Sequence, residues 1–355
     1  MKKILALSIA LCLVFSLCAI AAADDARHFE IVVKSYQSSY WQAAVKGIEA
    51  EAAAKGVTVH CTGPNTESDY ADWKNMFDSA INSAPDGIGI AAIGPDTILE
   101  SLQAAKDAGI PVVAFDSGVP NAPEGTILSL VATDNYGAGA TAAEHLYAAL
   151  KDKIAAAGAP VRIGEVNQDA TGESIISRGL GFIDKFGELA AADGFKVAVI
   201  GNEKYVNDCK IDKVAEADAN IIIEVRVPAQ TTTELCATEA AAIMNKEDLI
   251  GIFGSNQVAA EGLLAANDNL EVLGSDPADS ILAAGFDAGS IIKAAVRDGT
   301  LFGAVTQSPL AMGMTTIDVL IDACDGKEVT DVPTDGYWYN AENIDADDIA
   351  PNLYE

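Results

Sequence analysis

Two runs in the chain end an apolar stretch on a carboxylate. Pro111–Pro120 reads PVVAFDSGVP, a strand-like segment, Pro111–Phe115, that stops at Asp116, Ser117 and Gly118, and Asp287 follows Gly285-Phe286 in the same way. In open parallel sheets, ligands bind beyond the carboxyl ends of the strands. A carboxylate there accepts hydrogen bonds only, and its two oxygens can take neighbouring hydroxyls of a polyol. Asp-x-Gly is also ordinary turn chemistry, so Asp116 taken alone reads first as a turn cap. Three further strand ends carry polar groups: Lys34-Ser35-Tyr36-Gln37-Ser38-Ser39-Tyr40-Trp41, then Asn256-Gln257 after Ile252-Phe253-Gly254, then Gln307 after Ala304-Val305-Thr306. Flat rings can cover the C–H face of a sugar while carboxylates and amides take its hydroxyls. Each group alone is an ordinary helix cap; five such ends together point to a polyhydroxylated ligand.

Other chemistry is poorly represented. Gly137-Ala138-Gly139-Ala140-Thr141-Ala142 matches a dinucleotide fingerprint. That fingerprint needs its first glycine directly after a strand, and Thr133-Asp134-Asn135-Tyr136 intervene, so small residues packing against the sheet explain the run as well. No phosphate loop, nucleophile elbow or zinc-protease helix is present. His28, His60 and His145 are dispersed, which argues against histidine acid–base work. Carboxylates are plentiful enough for a glycosidase-like pair. Cys61, Cys209, Cys236 and Cys324 contain no C-x-x-C spacing for a metal, and no metal or cofactor is expected. Cys209–Cys236 is the one local pair for a disulfide; separate buried thiols are the plainer reading.

These residues need a scaffold with many strand ends, and the pattern supplies one. Strand-like His28–Lys34, Val57–Cys61, Gly87–Ala92, Pro111–Phe115 and Thr126–Ala132 alternate with helical Trp41–Lys55, Ser68–Ala84 (Ser68 as N-cap) and Asp96–Ala108. The beat restarts with helix Tyr136–Lys153, strand Val161–Val166, helix Ser174–Asp193 and strand Lys196–Gly201. It continues with helix Thr232–Asn245, strand Leu249–Gly254, helix Gln257–Asn267, strand Ile281–Phe286, helix Ser290–Asp298, strand Phe302–Thr306 and helix Leu310–Cys324. Glu203–Ala229 does not fit the beat: it allows a helix around Cys209–Asp218 and then the apolar run Asn220–Val227. Alternating strands and helices imply parallel sheets covered on both faces, here in two successive α/β units.

The 355 residues carry a formal net charge of −30, which repels nucleic acid and anionic membranes. Met1–Ala23 has a basic start at Lys2-Lys3, an apolar run and an Ala21-Ala22-Ala23 end, the pattern of a cleaved signal peptide. Export to the periplasm or cell surface as a soluble protein is expected. A lipid anchor at Cys18 competes, but Leu17 is large for the residue before a lipidated cysteine.

The chain resembles the periplasmic sugar-binding proteins of the ribose-binding type, the receptors of ABC importers. The resemblance spans nearly the whole mature chain and is carried by I-V-V-K-S-Y-Q-S-S-Y-W-Q, A-G-I-P-V-V-A-F-D-S, A-T-D-N-Y-G-A-G, S-R-G-L-G-F, F-G-S-N-Q, A-G-F-D-A-G and G-A-V-T-Q-S-P in that order. It implies two Rossmann-like three-layer α/β/α domains with parallel sheets, joined by three crossings, closing on one monosaccharide. One lobe is expected at 24–132 plus 308–337, the other at 133–307 plus 338–355, hinged near Thr133, Gln307 and the C-terminal crossing. By the same resemblance the sugar contacts fall on Lys34, Ser38, Tyr40, Trp41, Asp116, Asn256, Asp287 and Gln307. Ser117 stands where the ribose binder has an arginine, Ile176 replaces a second, and Arg178 keeps a neighbouring one. The aromatic of the second lobe falls near Thr231. These departures put ribose itself in doubt, and Lys34 with Asp116 is also similar to the autoinducer-2 and rhamnose receptors. Repressors of the LacI type share the fold, but a leader takes the place of their DNA-binding headpiece. The implied function is solute capture by a monomer for a membrane permease. The alternatives are a sugar or autoinducer-2 receptor serving a chemoreceptor, and an exported enzyme on sugars or nucleosides with Asp116 and Asp287 as acid and base.

Overall fold

The computed structural model describes residues 26–354; the expected leader and Cys18 lie outside the described residues. The first half of the chain builds a sheet from β1 (His28–Val32), β2 (Thr58–Thr62), β3 (Gly87–Ile90), β4 (Val112–Phe115) and β5 (Ser129–Thr133). A later strand, β13 (Val332–Thr334), joins it to give the order β13-β5-β4-β3-β1-β2, with every pairing parallel. β3 and β4 are apolar and buried throughout, as expected of inner strands covered on both faces. Their covers are α1 (Ser39–Lys55), α2 (Tyr70–Asn82), α3 (Leu99–Asp107) and α10 (Pro309–Cys324).

The second sheet runs β14-β12-β11-β9-β6-β8-β7 and comprises β6 (Val161–Val166), β7 (Val197–Gly201), β8 (Ile221–Arg226), β9 (Leu249–Gly254), β11 (Ile281–Phe286), β12 (Gly303–Thr306) and β14 (Tyr337–Tyr339). The two-residue β10 (Leu273–Gly274) pairs with β11 off this path. Around it pack α4 (Asn135–Ala156), α5 (Glu173–Ala192), α6 (Glu203–Asp208), α7 (Thr233–Met244), α8 (Gln257–Leu270) and α9 (Ser290–Asp298). The chain passes between the sheets three times: after β5, after β12 and between β13 and β14. One hydroxyl joins the three passages, because Thr133 Oγ1 bonds Gln307 Oε1 at 2.9 Å and Thr334 Oγ1 at 3.2 Å.

Several expectations need correction. The expected two α/β units with parallel sheets are present, with one exception: the edge strand β14 pairs antiparallel with β12. Ser68 does not cap a helix; α2 starts at Tyr70, and Ser68 Oγ accepts from the Thr231 N–H at 2.8 Å across to the other lobe. The helix expected from Asp96 splits into a 3-10 turn, Pro95–Thr97, and α3. Cys209–Asp218 is not an α-helix, while the run at 220–227 is β8. The cysteines at 61, 209, 236 and 324 are free thiols, as the plainer reading has it, but only Cys209 and Cys236 are buried, Cys61 and Cys324 being half-buried. The Gly137–Ala142 run joins the core under the sheet through Ala138 and Ala142, and its Gly139 also meets a helix: a Cβ at Gly139 would lie 1.9 Å from the Arg178 carbonyl oxygen, and one at Gly181 would lie 2.0 Å from that of Tyr136. Only glycine lets α4 and α5 approach so closely.

Candidate functional site

Both sheets aim the carboxyl ends of their strands at one crevice. In each, the first strand sits inside the sheet, so that the chain goes to one side and then to the other: β1 lies between β3 and β2, and β6 between β9 and β8. That reversal opens a gap at the strand ends where ligands settle. The gap is lined by Lys34, Tyr40, Trp41, Glu67 and Asp116 from the first lobe and by Gln168, Ser174, Ile175, Arg178, Asn256, Asp287 and Gln307 from the second.

Eight of the ten residues singled out from the sequence therefore meet in one place. Ser38 and Ser117 do not line it. Ser38 precedes α1 without a side-chain capping bond, and buried Ser117 accepts from the Ser174 N–H at 3.4 Å between the lobes. Ile176 borders a separate, outer inter-lobe cavity of about 810 Å³ beside Tyr70, Asn121 and Tyr136, and Ile175 faces the inner one. Thr231 bonds Ser68 and the Gln168 carbonyl, and does not reach the cavity. Glu67, Gln168 and Ser174 were missed. They come from loops or a helix start, and their only signal was polarity.

The polar groups form a connected network. Asp116 takes the Lys34 ammonium on Oδ1 at 3.0 Å and the Tyr40 hydroxyl on Oδ2 at 2.6 Å. Glu67 takes the Trp41 indole N–H at 2.7 Å and, across the gap, the Gln168 amide at 2.8 Å. Asn256 donates to Gln168 Oε1. Asp287 accepts from the Gln257 backbone N–H and from Gln307 Nε2, both at 2.9 Å. Arg178 stacks 3.5 Å over Phe286 and donates to the Ser255 carbonyl and Asn135 Oδ1 at 2.7 and 2.6 Å, so it holds the wall together.

Burial alone would depress the Lys34 ammonium, but Asp116 and Glu67 more than reverse this and hold it above its usual value. Burial pushes Tyr40 well above the phenol range, with Asp116 adding to it. Burial likewise raises Glu67, partly offset by Lys34, and raises Asp287, partly offset by Arg178. Three carboxylates face two cations, which suits a neutral, hydroxyl-rich guest and disfavours an anion. The free volume among these groups is about 30 Å³, enough for roughly one or two waters. A space of that size does not hold a sugar ring. No group of three or more His, Cys, Asp or Glu able to hold a metal occurs among the described residues.

Two α/β lobes on three connections, meeting at a crevice of carboxylates, amides and aromatic rings, define a bilobal solute-binding protein. The chain belongs to the periplasmic binding protein family, whose domain matches residues 29–328. It is 25% identical over 316 residues to the D-allose-binding periplasmic protein of Escherichia coli K12, covering 88% of each chain. Among solved structures, one described as an ABC transporter, LacI family transcriptional regulator from Brachyspira murdochii aligns with a TM-score of 0.78 at 30% identity, over 94% of this chain and 100% of that one. An ABC transporter solute-binding protein from Agrobacterium vitis with bound D-fucose aligns with a TM-score of 0.74 at 26% identity, over 92% of this chain and 100% of that one.

Proposed function

We propose that this protein is the exported receptor of an ABC importer, which captures one neutral monosaccharide between its lobes and presents the closed form to a membrane permease. The observation that carries this reading is the crevice itself. It draws hydrogen-bonding groups from both lobes, so a bound sugar gains contacts only when the lobes close and thereby shifts the population toward closure. The expected bounds 24–132 with 308–337 and 133–307 with 338–355 shift slightly, because Thr133 belongs to β5 and Tyr337 to β14: the moving bodies are residues 26–133 with 308–334 and residues 135–307 with 337–354, and bending falls at Thr133, Gln307 and the passage between β13 and β14. Sugar contacts are assigned to Lys34, Tyr40, Trp41, Asp116, Arg178, Asn256, Asp287 and Gln307, with Glu67 and Gln168 added. Relatives that bind D-allose and D-fucose support a hexose or deoxyhexose. Both oxygens of Asp116 and of Asp287 are engaged as acceptors, an arrangement that suits recognition better than acid–base turnover.

The test is a thermal-shift screen of pentoses, hexoses, deoxyhexoses and autoinducer-2, with native mass spectrometry of the recovered ligand. A sugar at 100 times its dissociation constant adds about 2.7 kcal/mol, a rise of about 4 °C in Tm at this size. One sugar that gives this rise and returns unchanged supports a receptor. A sugar that returns chemically altered overturns the reading in favour of an enzyme.

A further inference from the structure

Asp287 sits at φ 74°, a left-handed conformation that non-glycine residues seldom adopt. Such a backbone persists only where its surroundings hold it. Here two tyrosines hold opposite ends of one peptide group. The Tyr339 hydroxyl donates to the Asp287 carbonyl oxygen at 2.6 Å, and the Ala288 N–H donates to the Tyr354 hydroxyl oxygen at 3.2 Å. Tyr354 in turn donates to Gln257 Oε1 at 2.9 Å, and the Gln257 backbone N–H bonds Asp287 Oδ2. Its own carbonyl accepts from Lys293 at 2.7 Å, which ties the tail to α9. The Tyr354 ring is buried, and its centroid lies 5.7 Å from that of Tyr40 at 77°, an edge-to-face contact with the first lobe. Tyr40 carries the bond to Asp116. Gln257 also meets Ser39 of α1 at 3.0 Å.

We infer that Tyr354 is a positioning residue of the binding crevice: it fixes the Asp287–Ala288 peptide, and so the Asp287 carboxylate, and it supplies the surface on which Tyr40 seats when the lobes meet. The inference rests on the sugar-receptor reading for its effect on affinity, but the peptide contact stands apart from it. Among the described residues no such pair serves Asp116, whose following N–H, at Ser117, turns back onto the Phe115 carbonyl at 2.7 Å.

Tyr354→Phe removes only the hydroxyl; Tyr354→Ala removes the ring as well. Amide exchange at Ala288 in the sugar-free protein reads the peptide contact and is expected to speed up about tenfold in Tyr354→Phe. Calorimetric titration with D-allose and D-fucose reads the crevice. Binding of whichever the wild type accepts is expected to weaken about fivefold in Tyr354→Phe, the size of one hydrogen bond, and further in Tyr354→Ala, with faster release. In the double variant with Asp287→Asn, the loss from Tyr354→Phe is expected to shrink, because the carboxylate it positions is gone. A merely structural role would lower Tm without this coupling. Unchanged exchange at Ala288, or affinities within twofold of wild type in both variants, overturns the inference. Failure of the wild type to bind either sugar counts against the assigned ligand class, and exchange at Ala288 then decides the peptide contact alone.

Discussion

Asp116 and Asp287 occupy the same position in two copies of one device. Each follows a phenylalanine that ends an inner strand, each has a left-handed backbone (φ 62° and 74°), and each donates its N–H to the strand alongside, to the Val131 carbonyl at 2.8 Å and the Val305 carbonyl at 2.7 Å. The turn swings both carboxylates out of their sheets and into the crevice from opposite lobes. Backbone strain of this kind, about 1–3 kcal/mol per residue, is kept where the side chain it presents has work to do.

Asp116→Asn is expected to weaken sugar binding on the order of 100-fold while leaving the fold intact. The variant replaces a charged acceptor by a neutral one while Glu67 still supports the buried Lys34 ammonium, and a hydrogen bond to a charged group contributes about 1.5–3 kcal/mol. Isothermal titration of the variant against wild type checks this. Unchanged affinity accompanied by lost turnover of the sugar would instead place Asp116 in an active site.

Gly139→Val should destabilise the second lobe and weaken binding together. A side chain there meets the Arg178 backbone carbonyl at 1.9 Å, so α4 and α5 must separate and carry Arg178 away from Phe286 and Ser255. Overpacking of this kind costs about 1–3 kcal/mol. Gly137→Ala is the control, since its added methyl meets the Asp134 side chain and no backbone of α5. A Gly139→Val protein with wild-type Tm would contradict the close packing of the two helices.

The two aspartates were legible in the sequence because an apolar run broken by Asp and a small turn residue is a local pattern. Glu67, Gln168 and Ser174 were not, because what makes them site residues is the approach of one lobe to the other. β8 was obscured for a related reason. Its IIIEVR run carries Glu224 into a buried position, where Arg162, Arg226 and Lys246 bond it at 2.6, 2.7 and 2.6 Å. Arg226 lies in the strand itself, but Arg162 and Lys246 come from other elements and leave no trace in its pattern. The tail containing Tyr354 has no periodicity, and its partners Gln257, Ala288 and Lys293 lie far from it in sequence.

Glu224→Ala tests that buried cluster. The substitution removes the shared partner of Arg162, Arg226 and Lys246, of which Arg162 keeps Asp248 at 3.0 Å and Arg226 keeps Glu239 at 3.5 Å. Because only Arg162 is buried and two of the three cations stay paired, the loss is expected to be about 1–3 kcal/mol, read as a lower denaturation midpoint at unchanged m. A loss below 1 kcal/mol would show that water screens the site.

Glu165 gives the same lobe a pH dependence of opposite sign. Its carboxylate is fully buried at the end of β6. Oε1 accepts from Asn167 Nδ2 at 2.6 Å, and Oε2 has no hydrogen-bond partner among the described residues. Burial pushes its pKa from 4.5 up to about 8, the Asn167 bond opposing the shift and Asp184 adding to it. The folded state therefore holds this proton more tightly than the unfolded chain does. Its contribution to stability is complete below pH 4.5 and is lost as pH rises through about 8. At 1.36 kcal/mol per pH unit the full swing is about 5 kcal/mol. Glu224 behaves conversely: burial would raise its pKa, but Lys246 and Arg226 hold it below the usual value, so its share of stability is present at neutral pH and lost on acidification. Glu165→Gln keeps the shape and the acceptor for Asn167 without a charge to form. Chemical denaturation from pH 4 to pH 9 should show the variant close to wild type at the acid end and increasingly more stable than it toward pH 9. If the two curves ran parallel instead, Glu165 would already be ionised in the folded protein, and water or a cation would have to reach Oε2.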